Sequence, residues 1–209
     1  MLKSLSLPAT ILVCSLAVIA GCGTGQDRSA ATTKATASVP ADTNKATTSL
    51  DQVTATLKRL RDANGETDLK KLHADLQSQA GKLDNTLTEV EASSANAIAA
   101  GKDQITKWHT ESDTFTDADL RTASNRRQGD LRKSVDDLSA SRTTLGTVGA
   151  SYRAKLAETL KALDLDLSQQ GVKSVNAIVS RLINDEPDLR SALTEVAEKS
   201  QAVNKVVRP

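Results

Sequence analysis

Cysteine is nearly missing from this chain. Cys14 and Cys22 are the only two among 209 residues, and nothing after Cys22 carries a thiol. No disulfide framework and no thiolate metal site can therefore form in the body of the protein. Aromatics are as scarce, with one each of Trp, Phe and Tyr at Trp108, Phe115 and Tyr152. That removes the bulky walls on which small-molecule pockets usually rely. An excess of one charge is lacking too, since 27 Lys and Arg face 26 Asp and Glu, and removing residues 1–21 takes away one lysine and no acid. A balanced chain argues against a nucleic-acid-binding face and against a polybasic lipid-binding patch.

Catalytic patterns are missing as well. There is no phosphate-binding loop, nucleophile elbow or paired-histidine helix. The stretch His109-Thr110-Glu111 has the spacing of a zinc deaminase fragment, but such a site also needs a Pro-Cys-x-x-Cys run, which this chain does not have. His73 lies beside an apolar stripe, and both histidines read as residues on helix flanks. Asp164 and Asp166, two apart on a helix, point in different directions and make a poor carboxylate pair. No catalytic residue, cofactor or metal is expected, and the protein is not expected to be an enzyme.

What is present begins at the N-terminus. Lys3 is the sole early charge, an apolar stretch runs from Leu5 to Ile19, and small residues follow at Ala20 and Gly21. This is the layout of an export signal, and it is shorter than the roughly 20 apolar residues a membrane-spanning helix needs. The sequence Ile19-Ala20-Gly21-Cys22 resembles the lipobox of bacterial lipoprotein precursors. That resemblance implies cleavage between Gly21 and Cys22, removal of residues 1–21, and acylation of the Cys22 sulfur and of its new amine. Two or three acyl chains hold a protein firmly to a membrane, at about 0.8 kcal/mol per buried methylene. With Gly23 rather than Asp after the cysteine, the expected site in a double-membraned host is the outer membrane, facing the periplasm.

From residue 22 to residue 48 the chain is dominated by Gly, Ser, Thr, Ala and Pro with no apolar period. It reads as a disordered tether holding the folded part roughly 25 to 30 Å from the lipid on average.

Residues 49–209 read as all-α. A short stripe of Leu50, Val53, Leu57 and Leu60 stops at Asn64-Gly65. A second stripe runs from Leu69 through Leu83 and Ala97 to Trp108, and a third from Leu120 through Arg127, Leu131, Arg142, Leu145 and Leu160 to Leu167, both at close to 3.5 or 3.6 residues per step. The short segment Ser112-Asp113-Thr114-Phe115-Thr116-Asp117 folds the two helices back as neighbours and favours a hairpin over the parallel oligomer that the stripes alone would also allow, with Thr116 as the expected cap of the following helix. These two stripes predict an elongated antiparallel coiled-coil hairpin in which Ala80 faces Gly149, Leu76 faces Tyr152 and Gly101 faces the region of Arg127. After a break at Gly171, a stripe from Val172 to Val207 predicts a third long helix, kinked or briefly broken near Pro187 because proline removes a backbone donor. The whole is a small helical bundle.

The helical part resembles a family of bacterial envelope proteins known only as a domain of unknown function, helical and often lipoprotein-like. The resemblance covers roughly residues 46–207, at Trp108, at Leu120-Arg121 with Ser124, and at Tyr152. It implies a fold and no activity. The expected role is a lipid-anchored helical spacer, scaffold or protein-interaction module in the cell envelope, self-associating or paired with another helical protein. The alternative is a bundle that holds a lipid or apolar ligand. Trp108 and Phe115, flanking the hairpin tip, either cap the core there or form a partner contact at the end distant from other anchors.

Overall fold

The computed structural model describes residues 25–64 and 67–208. They form four helices, α1 (Gly25–Arg61), α2 (Leu69–Ser112), α3 (Ala118–Leu165) and α4 (Gln169–Val207), with no strand among the described residues. Each helix packs antiparallel against the next and α4 returns to α1, closing a four-helix bundle. At 1.5 Å per residue the 48-residue α3 is about 72 Å long.

Short polar residues start the later helices by satisfying free backbone amides. Asp68 accepts from the Lys71 amide at 3.1 Å, and the Ser168 hydroxyl accepts from the Gly171 amide at 3.1 Å. Asp117 accepts from the amides of both Asp119 and Leu120 at 2.9 Å. The cap of α3 is thus Asp117 and not Thr116, because a carboxylate accepts two amides and also suits the positive end of the helix. Gly171 is not the break itself: residues 166–168 form it, and Gly171 lies in the first turn of α4. A Cβ there would sit 1.9 Å from the Asp166 carbonyl oxygen, so only glycine permits this tight return.

The expected tether is overturned. Residues 25–48 belong to α1, which buries Thr32, Thr36, Val39, Thr43 and Ala46 ahead of Leu50, Val53, Leu57 and Leu60. These positions alternate at spacings of four and three, a heptad seam in which Thr and Ala stand where Leu stands further on. Buried threonine hydroxyls would be costly without partners; Thr36 Oγ1 donates to the Thr32 carbonyl at 3.0 Å and Thr43 Oγ1 to the Pro40 carbonyl at 2.9 Å within the helix, while Thr32 Oγ1 donates across to the Ala100 carbonyl of α2 at 3.3 Å.

The hairpin register is shifted as well. A Cβ on Gly101 would lie 2.6 Å from Val135 Cγ2, so Gly101 faces Val135 and not the Arg127 region. Arg153 pairs with Asp84 at 3.0 Å and with Glu91 at 3.2 Å, consistent with the same slide of about one heptad. Such a slide leaves every stripe in phase, and the pattern alone could not distinguish the two registers. Within α3 the buried seam takes Gln128, Ser141 and Thr159 in place of Arg127, Arg142 and Leu160. α4 runs unbroken through Pro187, which is exposed, while the flanking Leu182 and Leu189 are fully buried. Packing on both sides offsets the lost donor.

The core changes character along the bundle. Around the α1–α2 and α3–α4 connections it is dominated by Leu57, Leu60, Leu72, Leu76, Leu163 and Val172. Toward the α2–α3 turn it becomes small and polar, with Thr32, Ser94, Gln104, Ser112, Ser124 and Gln128 buried.

Candidate functional site

The α2–α3 turn, the start of α1 and the end of α4 share one end of the bundle. Arg28 of α1 pairs with Glu111 of α2, and Gln104 Nε2 donates to the Ser29 hydroxyl at 3.1 Å. These contacts set the first turn of α1 level with residues 104–111. The end of α2 therefore overhangs Gly25 by about one turn. The expectation that the hairpin tip lies away from other anchors is corrected: it lies beside the point where the chain enters the bundle. Gly21 and Cys22, the expected cleavage and lipidation residues, fall outside the described residues.

The structure separates the two aromatics that the sequence grouped together. Trp108 is partly buried, donates from Nε1 to the Ser124 hydroxyl at 2.8 Å and carries the Arg127 guanidinium 5.2 Å from its ring centroid. A neighbouring bond from Gln128 Nε2 to the Ser112 hydroxyl, at 2.7 Å, ties the last turn of α2 to α3. Trp108 thus closes the core, held by a hydrogen bond and a cation–π contact of about 0.5–1 kcal/mol. Phe115 remains 36 % exposed in the turn, its carbonyl accepting from Arg121. Leu120, 61 % exposed, is a second uncovered apolar side chain at this end, at a position that periodicity alone assigns to the core stripe. It begins the α3 stripe ahead of Ser124 and Gln128, at a level where α1 and α4 have no described residue to cover it. That position was legible once the first helix is known to start at Gly25.

Between Trp108, Arg28, Gln104, Glu111, Gly25 and Val207 lies a cavity of about 200 Å³. Gln104 Oε1 is buried there without a hydrogen-bond partner among the described residues. The space suits a few waters.

Elsewhere the histidines and Asp166 make local contacts. His73 Nε2 lies 3.1 Å from Asp164 Oδ1, an ion pair between α2 and α3 when the imidazole is protonated, and His109 lies 3.7 Å from Asp113 on its own helix. Asp166 ends α3 and accepts from the Ser168 amide at 3.1 Å. Among the described residues no group of His, Cys, Asp and Glu could hold a metal ion, and no helix is long and apolar enough to cross a membrane. Comparison with protein-family models, curated proteins and solved structures finds no match to this chain.

Proposed function

We propose that this protein is a lipid-anchored helical spacer or scaffold of the bacterial envelope, without catalytic activity, held by acyl chains on Cys22 and working through its length and its helical faces. The observation that carries the reading is the position of α1. Only three peptide steps separate Cys22 from Gly25, and from there α1 is packed into the bundle along its whole length. Motion of the anchor is therefore coupled directly to a rod about 70 Å long, where a flexible tether would have uncoupled them. The heptad spacing of the seams supports supercoiled packing, which suits a spacer. A mature chain of balanced charge with exposed acidic and basic helix faces fits association with another helical envelope protein or a second copy better than binding of nucleic acid.

The competing reading is a lipid or apolar-ligand carrier. The unacylated protein starting at residue 22, which contains all four helices, separates the two. Light scattering is expected to give a stable rod without copurified lipid by mass spectrometry. A monomer that carries lipid stoichiometrically would overturn the scaffold reading.

A further inference from the structure

We infer that Phe115 and Leu120 rest in the headgroup region of the same lipid surface that holds Cys22, giving the bundle a second point of attachment at one end. The inference depends on the acylation of Cys22 proposed above. It starts from where the exposed large hydrophobic side chains lie among the described residues: of Phe115, Leu120 and Leu165, two are on the overhanging α2–α3 hairpin and one is at the opposite end. Phe115 and Leu120 have no α1 or α4 residue opposite them among the described residues, since α1 begins at Gly25, one turn short of the tip.

The second observation is the reach of the chain. Three peptide steps from Gly25 to Cys22 span at most about 11 Å. The acylated sulfur is thus confined to the neighbourhood of the overhang, and a lipid surface gripping the acyl chains lies within reach of the turn. A protein partner at this end would have to fit between the turn and that surface, which makes lipid the occupant that the geometry favours.

Charge sets the character of the contact. Glu111, Asp113, Asp117 and Asp119 are exposed at this end, as are Arg121, Arg126, Arg127 and Arg208. These four acids and four bases are interspersed and offset one another, so attraction to anionic headgroups is not what holds the turn down. Burial of apolar side chains is, and the contact should change little with salt. One aromatic and one leucine cannot anchor a protein alone, but beside a covalent lipid they have only to fix its tilt.

Trp108, the sole tryptophan, is a built-in reporter one turn below the tip. The full native protein is placed in vesicles of phosphatidylethanolamine and phosphatidylglycerol containing a headgroup nitroxide lipid, and intact mass records its acyl chains. Trp108 fluorescence is expected to be quenched at least twofold. The Phe115→Ser/Leu120→Ser variant should lose at least half of that quenching with its acyl mass and circular dichroism unchanged, and Leu165→Ser should lose none. Acylated protein with unquenched Trp108, or with equal quenching in the double variant, overturns this inference alone. Native protein whose mass shows no acyl chain overturns the anchoring reading and this inference with it.

Discussion

Ser200 of α4 donates its hydroxyl to the main-chain carbonyl of Thr36 in α1, at 2.9 Å and fully buried. That carbonyl is free because residue 40, which would have bonded it through the helix, is proline. Pro40 thus creates an acceptor inside α1, and the facing helix supplies the donor. The pair fixes the α1–α4 register at one buried point.

The relationship is testable by a double-mutant cycle. Ser200→Ala leaves a buried carbonyl without a partner and is expected to cost about 1–2 kcal/mol in urea unfolding. Pro40→Ala restores the amide and should stabilise the protein by roughly 1–3 kcal/mol. In the Pro40→Ala background, Ser200→Ala should cost less than about 0.5 kcal/mol. Strict additivity would contradict the coupling.

Gly101 and Val135 define the α2–α3 register. Gly101→Ala places a methyl 2.6 Å from Val135 Cγ2, and overpacking by a stiff β-branched neighbour is expected to outweigh the better helix propensity, for a net loss of about 1 kcal/mol. Gly81→Ala, which meets nothing within 4 Å, should gain about 0.5–1 kcal/mol. If Gly101→Ala matches Gly81→Ala in thermal melts, the register described above is wrong.

Tyr152 is 1 % exposed, and burial pushes its phenol up to about 12, only partly opposed by the nearby Thr54 hydroxyl. An unfolded tyrosine ionises near 10. The folded state therefore favours the neutral phenol. That contribution is complete below pH 10 and is lost as pH rises from about 10 to 12, to a total of roughly 2–3 kcal/mol. Tyr152→Phe should remove this alkaline dependence. As the only tyrosine, Tyr152 can be followed by its absorbance; titration near pH 10 in the folded protein would contradict its burial.

Hydrogen exchange tests the N-terminal helix. Amides of residues 30–48 are expected to be protected well beyond free-chain rates, while opening before those around Leu72 and Leu163, because the core near the α2–α3 turn is smaller and more polar. Free-chain exchange across residues 30–48 would restore the tether.

Most of the bundle was readable from the periodicity of leucine and valine. Every apolar position expected in α4 from Val172 to Val207 is buried. What escaped did so for physical reasons. Residues 32–46 carry the same heptad as Leu50–Leu60, but threonine hides its methyl behind a hydroxyl and scores as polar, and Pro40 reads as a breaker until its freed carbonyl is seen to have a partner. The hairpin register slipped by a heptad because a repeat is degenerate under exactly that displacement. At the tip, Trp108 could be placed near the turn but not told apart from Phe115, since one is covered by Arg127 and Ser124 while the other keeps about a third of its surface exposed. Cys22 is legible only in sequence.

The most direct test of the account is the intact mass of the protein extracted from its native membrane, compared with the product of a Cys22→Ser gene. The account predicts a chain beginning at Cys22 and carrying two or three acyl chains, with the variant unacylated and still carrying residues 1–21. A native chain that retains residues 1–21, or that begins at an unmodified Cys22, would contradict it.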